Sequence, residues 1–149
     1  MQLTWKYSPF DQLQLQELYS ILQLRTEIFV VEQQCLYQDM DDKDQLSWHL
    51  SAWLGNTLVA YARILPPGIS YDSASIGRVI THPSYRGQGN GRQLMQLAIN
   101  HARKSFNCMV IDISAQQYLT KFYLSLGFMP IGEPYLEDGI PHILMRNNG

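Results

Sequence analysis

The hexapeptide Arg86-Gly87-Gln88-Gly89-Asn90-Gly91 decides how this chain folds. It follows a β-rich run, Ile76 to Thr81, crosses a turn at Pro83 and opens into a helical pattern that begins near Arg92. Closely spaced glycines let a backbone approach a ligand, and the first N–H groups of a helix have no partner within it. The positive end of the helix dipole points the same way, so the stretch predicts an anion site suited to a pyrophosphate. A P-loop is excluded, because Gly91 is followed by Arg92-Gln93 and not by Lys-Ser or Lys-Thr. A Rossmann fingerprint is excluded by its spacing, since these glycines alternate after a proline turn. Asp112 sits about 20 residues downstream, where a Rossmann acid would stand, but without the glycine spacing it has no such role. An ordinary glycine-rich turn is the other reading of the hexapeptide taken by itself.

Beyond the loop, Leu94, Leu97, Ala98, His101 and Ala102 mark the buried stripe of a helix. The run Phe106 to Ile113 reads as a buried parallel strand with Cys108 inside it. Strand, loop, helix and strand make a βαβ unit, whose right-handed crossover puts the loop at the strand's carboxyl end. Tyr118 to Leu126 is the next expected helix, stopped by Gly127. Within it Leu119, Phe122, Tyr123 and Leu126 recur at three and four residues, so periodicity alone makes Tyr123 a core aromatic.

Arg86-x-x-Gly89-x-Gly91, with Pro83 before it and a β-run ending at Thr81, resembles the acetyl-coenzyme A (acetyl-CoA) motif of GNAT-type acyltransferases. Phe122-Tyr123-Leu124-Ser125-Leu126-Gly127-Phe128 is similar to that family's aromatic-Tyr-x-x-Leu-Gly-Phe segment. The resemblance covers Trp48 to Phe128. The ends, with Arg25-x-x-x-Phe29, the run Glu32 to Asp44 and Asp138-Gly139-Ile140-Pro141-His142, resemble the ElaA branch of the family. It implies a mixed α/β fold: a central twisted, mostly antiparallel sheet with one parallel pair splayed at the cofactor site, and helices on both faces. The implied co-substrate is acetyl-CoA, with no metal, and the implied reaction is direct transfer of the acetyl group to a primary amine on a small molecule or peptide. Arg86, Gly87, Gln88, Gly89, Asn90 and Gly91 would hold the pyrophosphate. Val79, Ile80 and Thr81 would hold the pantetheine arm through main-chain groups, so the Thr at 81, where the family often has Val, is harmless. The same strand would offer an N–H to the thioester carbonyl. Gln116 stands where many members carry a pantetheine-contacting Asn, and Tyr123 corresponds to the residue that protonates the leaving thiolate. Three alternatives stay open: a longer-chain acyltransferase related to acyl-homoserine lactone synthases, a non-catalytic acetyl-CoA-binding module, and a purely structural interaction protein.

The 149 residues are expected to form one domain, 1–149, large enough to bury about two-thirds of the extended-chain surface. A net charge of −2 gives no electrostatic case for nucleic acid. No apolar run approaches 18 residues, so no membrane partner is expected. Cys35 and Cys108 lack metal or CxxC spacing, and neither sits in a Cys-His motif that would support a covalent route; with no leader pattern, a reduced cytoplasmic setting is the expectation.

Leu13 to Phe29 reads as a helix starting after Ser8-Pro9, with Leu15, Leu18, Tyr19, Leu22, Ile28 and Phe29 as its apolar face. Arg25 and Phe29 share a face, first as an ion-paired residue and a core residue; the resemblance to the lactone synthases gives the second reading, an acceptor pocket. Asp39, Asp41, Asp42 and Asp44 crowd one loop without the Gly and Glu of an EF-hand, leaving a solvated acidic loop or a lure for a cationic amine. Trp48 to Leu54 and Thr57 to Leu65 form a hairpin about Gly55-Asn56. Arg63 inside it calls for an aspartate partner first and a substrate second, and His49 is likewise read as structural before chemical. The tail reads as two edge strands closing the acceptor site, with His142, Glu133 and Glu137 as candidates to deprotonate the amine. Exposed edges there make a homodimer an open expectation.

Overall fold

The computed structural model describes residues 2–149. Its strands are β1 (Thr4–Pro9), β2 (Trp48–Leu54), β3 (Thr57–Leu65), β4 (Ala74–Thr81), β5 (Ile111–Gln116), β6 (Met129–Glu137) and β7 (Ile140–Asn147). They form one sheet in the order β1-β2-β3-β4-β5-β7-β6, antiparallel at every pairing except β4 with β5. Helix α1 is Leu15–Arg25, α2 is Asn90–Phe106 and α3 is Thr120–Leu124.

The stripe of α2 (Leu94, Met95, Ala98, Ile99, Ala102) packs one sheet face with Leu50, Ala62, Ile113 and Phe128. On the opposite face Ile21, Leu24 and Ile28 pack with Trp53, Leu58, Tyr61 and Ile80. Because helices cover both faces, β2 and β3 are buried almost throughout, and along β2 Leu50 and Ala52 face one core while Trp53 faces the other.

Several boundaries differ from the sequence expectations. Leu15 and Tyr19 are 86% and 70% exposed, so α1 is rotated from the expected face; its buried positions are Ile21, Leu24, Arg25 and Ile28, at spacings of three and four. A core position occupied by arginine hid that stripe. The helix also runs past Phe29 as a π-helical segment, Thr26–Glu32, with Cys35 N–H bonded to Val30 O at 3.0 Å. Ser8-Pro9 ends a strand instead of starting a helix. β1 is an edge, where proline is tolerated, and the alternation of Leu3, Trp5 and Tyr7 against the core was its signal. Asn107 caps α2 in the left-handed conformation (φ +50°), which displaces the following strand to Ile111–Gln116 and leaves Cys108 in the turn. Of the two tail strands only β6 is an edge, since β7 pairs with both β5 and β6.

The feature that makes a site is the parallel pair. β4 and β5 are in register only at Ala74–Ile111 and Ser75–Asp112, and beyond those residues they part. Asp112 braces the closed end: Arg146 donates to it at 2.8 and 3.1 Å and Ser73 at 2.7 Å. Its carboxyl lies below the usual range because those bonds outweigh the upward push of burial. On its other side β4 carries a bulge, where Arg78 (φ +50°) and Val79 have no register partner on β3.

Candidate active site

The gap between β4 and β5 opens into a cleft of about 1020 Å³ that passes through the sheet, taking Met95, Phe122 and Tyr123 from one face and Ile28, Phe29 and Glu32 from the other. Val79, Ile80 and Thr81 line its β4 wall and Gln116 its β5 wall. Past the bulge, with no β5 residue in register, main-chain groups of β4 face the gap. That is the arrangement needed to bond an extended ligand as an added strand would.

At the mouth, Gly87 and Gly89 adopt φ +79° and +80°, a conformation that side chains resist, and Gly89 caps the 17-residue α2. No heavy atom lies within 4 Å of where a Cβ on either would stand, so backbone shape and open space above it fix glycine here. Arg86 and Gly91 line the cleft; Gly87, Gln88, Gly89 and Asn90, which lie between them in the chain, are not part of its lining. Asn90 is buried, and its amide donates to Tyr85 O at 3.2 Å, so it can offer an anion its main chain alone. Arg86 is held across the mouth by Glu32, with bonds of 2.7 and 2.8 Å, and the pair is about half exposed. Gln116 donates to Gln33 Oε1 at 3.4 Å, joining the β5 wall to the end of the π-helical segment.

Tyr123 is buried between Phe122 and Phe128, with ring centroids at 5.2 and 5.9 Å in edge-to-face contact. Its ring satisfies the core periodicity while it also lines the cleft. Burial pushes its phenol up to about 12. The hydroxyl therefore keeps its proton at neutral pH and can act as a donor, not a base.

The opposite side holds what the sequence showed least clearly. Arg25, Asp39, Arg78, Asp41, Arg63 and Asp44 close a ring of alternating charge. Its contacts run 2.8 Å (Arg25–Asp39), 2.7 Å (Asp39–Arg78), 3.4 Å (Arg78–Asp41), 2.7 Å (Asp41–Arg63), 3.0 Å (Arg63–Asp44) and 2.7 Å (Asp44–Arg25). Three cations meet three anions, so Asp39, Asp41 and Asp44 form neither a solvated loop nor a net negative lure, while Asp42 is exposed and outside the ring. Burial opposes their ionisation, yet hydrogen bonds from Arg63 to Asp41 and from Arg25 to Asp44 hold both carboxyls below the usual range. Arg25, expected second as a pocket residue, is fully buried and does not reach the cleft. Arg63 lines the cleft with both Nη atoms committed to the ring, whereas Phe29 faces the cleft directly. His49 is structural: its Nε2–H donates to Asp44 O at 2.9 Å, Nδ1 accepts from Tyr61 Oη at 2.6 Å, and burial lowers its basicity. Arg78 was not singled out by its sequence position, and only its bulge brings it to the ring.

At the far end of the cleft, the β6–β7 turn presents Glu137, Asp138 and His142. His142 Nδ1 lies 2.7 Å from Ile140 O and its Nε2 lies 3.4 Å from Glu137 Oε2. Glu133 lies exposed on β6 and is absent from the cleft lining. Among the described residues no cluster of His, Cys, Asp or Glu is arranged to hold a metal, and no helix is long and apolar enough to cross a membrane.

A sheet parted at one parallel pair, with a glycine-capped helix at its mouth, defines an acyl-CoA N-acyltransferase fold. The acetyltransferase (GNAT) domain family matches residues 15–148, and the chain belongs to that family. It is similar to an acyl-CoA N-acyltransferase of Pseudomonas aeruginosa, 44% identical, with a TM-score of 0.93 over 98% of this chain and 99% of that one. Protein ElaA of Escherichia coli is 41% identical over 145 residues, 96% of this chain and 95% of that protein. On superposing the ElaA crystal structure the identity is 39%, with a TM-score of 0.92 over 98% and 99% of the two chains. A more distant protein of Salmonella typhimurium, solved with its cofactor acetyl-CoA, is 19% identical with a TM-score of 0.72 over 99% and 94%, a likeness of fold alone.

Proposed function

We propose that this chain is an N-acetyltransferase that passes the acetyl group of acetyl-CoA directly to a primary amine. The observation that carries the reading is the parting of β4 from β5 after two residue pairs, beside a helix that starts on a left-handed glycine. The unshared N–H groups at the start of α2 would take the pyrophosphate, with the helix dipole in support. Arg86 would add charge once it turns from Glu32. The pantetheine arm would lie along the open edge of Val79 to Thr81, and a main-chain N–H there would polarise the thioester carbonyl, a kind of contact worth about 10²–10³ in rate. Tyr123 would give its proton to the departing thiolate, and Gln116 would contact the arm from the β5 wall. No residue is needed to carry the acetyl group, so acceptor and thioester would share the cleft in one ternary complex.

Thermal denaturation with acetyl-CoA, free CoA and a long-chain acyl-CoA tests the reading. At 100 times the dissociation constant, acetyl-CoA stabilises the protein by about 2.7 kcal/mol, and the gain is lost in Gly89→Glu, which places a carboxylate at the helix start. No stabilisation by any of the three would overturn the proposal. A preference for the long chain would redirect it to a longer acyl donor.

A further inference from the structure

His142 lies in β7 opposite Gln116, on the β5 side of the cleft, and is buried apart from the face it turns to the cavity. Ile140 O can only accept a hydrogen bond, so the proton of a neutral His142 sits on Nδ1, the atom 2.7 Å away. Nε2 is then a lone pair, and it faces the Glu137 carboxylate at 3.4 Å. Two acceptors at that separation are stable only with a proton or a cation between them. Neither Glu137 nor Asp138 has a Lys or Arg within 4.0 Å among the described residues, whereas Glu32 and Asp41, which also line the cleft, are each tied to arginine; of the two, only Glu137 faces His142. Its other oxygen is fixed: Ser114 donates to Oε1 at 3.1 Å, and Tyr135 bonds to Ser114 in turn. The Tyr135 ring lies 6.2 Å from that of His142 and nearly parallel to it. The carboxylate is thus held in place with its free oxygen turned toward the imidazole.

Resting on the acyltransferase reading, we infer that Glu137 and His142 together form the acceptor site: the substrate's primary ammonium binds between Glu137 Oε2 and His142 Nε2, and Nε2 takes its proton. An ammonium nitrogen can donate to both atoms at about 2.9 Å after a small opening of the pair. The proton passes from R–NH3⁺ to Nε2 and on to water, leaving R–NH2 with a free lone pair. That nitrogen attacks the thioester carbonyl carbon, forming the C–N bond. Breaking the C–S bond releases the thiolate, which takes the Tyr123 proton, and the phenolate recovers a proton from the new amide nitrogen. One proton per turnover leaves through His142, matching the overall release of one proton when an ammonium becomes an amide. Glu137 binds and orients, and His142 touches the reacting nitrogen. The substrate class is a primary alkylamine, with its alcohol isostere excluded for want of a cation.

The test follows amine-dependent release of the CoA thiol from acetyl-CoA with n-butylamine, phenethylamine and a lysine tripeptide as probes, with 1-butanol as the isostere. His142→Gln is expected to lose at least about 100-fold in kcat at neutral pH while acetyl-CoA still raises its melting midpoint as in the wild type. Its rate should recover about tenfold per pH unit up to the pKa of the amine, because solvent then removes the proton; the ionisable groups around residue 142 are Tyr135, Glu137 and Asp138, with Tyr71 beside Tyr135 and Glu137. Glu137→Gln, a change at a half-exposed side chain that leaves packing intact, should raise the amine KM at least about tenfold with little change in kcat. Should His142→Gln not fold, that second variant decides. Activity of His142→Gln within threefold of wild type, an unchanged amine KM in Glu137→Gln, or no amine-dependent thiol release from protein that binds acetyl-CoA would each overturn the inference. Failure to bind acetyl-CoA at all would instead remove the acyltransferase reading beneath it.

Discussion

The two sides of the cleft are built from different material. On one, β4, the glycine loop and the start of α2 offer main-chain groups: an unpaired strand edge, a bulge and the N–H groups above Gly89. On the other, the end of α1 and the segment 33–47 are set in place by six charges that neutralise one another, and the β6–β7 turn adds Glu137 and His142, held by Ser114 and by Ile140 O. Main-chain recognition tolerates substitution wherever the backbone path is kept, as with Thr81. Side-chain recognition does not, because every member of the ring is another member's counter-ion. On the proposed function, the side that would take the acceptor is the more fragile half, and the side that would take the cofactor depends on a few glycines.

The largest effect should come from opening the ring. Arg25→Ala strips Asp39 and Asp44 each of one of its two arginine partners, leaving Asp39 to Arg78 and Asp44 to Arg63, and the loss of one member of a buried ion pair costs about 3–5 kcal/mol. Chemical denaturation should show a loss of that size; a loss below 1 kcal/mol would mean that the ring does not organise the acceptor side. Next comes Tyr123→Phe, which keeps the ring stack and removes the proton donor. It should lower kcat by about 10²-fold or more with acetyl-CoA binding unchanged, and because burial lifts the phenol to about 12, Tyr123 should add no limb to the rate profile between pH 6 and 9.

Acid should separate the two sides. Asp41 and Asp44 have lowered folded-state pKa values, so their stabilisation is complete above the unfolded carboxylate pKa, near 3.9, and is lost as the pH falls toward the folded values. The melting midpoint should fall by about 5 °C or more between pH 6 and pH 3, with amides of 33–47 losing exchange protection before those of α2. The smallest effect belongs to Glu32→Gln. The exposed Glu32–Arg86 pair contributes about 0–1 kcal/mol, so freeing Arg86 should tighten acetyl-CoA binding by less than about fivefold in calorimetric titration.

The same division explains what could be read in the sequence. The hairpin from Trp48 to Leu65, the glycine loop and the Gly127 stop (φ +94°) were legible because each rests on local backbone rules. The phase of α1 was not, since its stripe includes Arg25, and an arginine counts as core only when its aspartates, 14 and 19 residues away, are seen to reach it. Arg78 joins the ring through a bulge that no periodicity announces. His142 could be named as a candidate from its place in the tail, but the bond from Nδ1 to Ile140 O, which turns Nε2 toward Glu137, exists only once the turn is folded.

Hydrogen–deuterium exchange with and without saturating acetyl-CoA tests the central claim most directly. The account predicts new protection at Val79 to Thr81 and at the amides from Gly87 to Arg92, with segment 33–47 unchanged. Protection centred on 33–47, or none in the glycine loop from protein that binds acetyl-CoA, would contradict it.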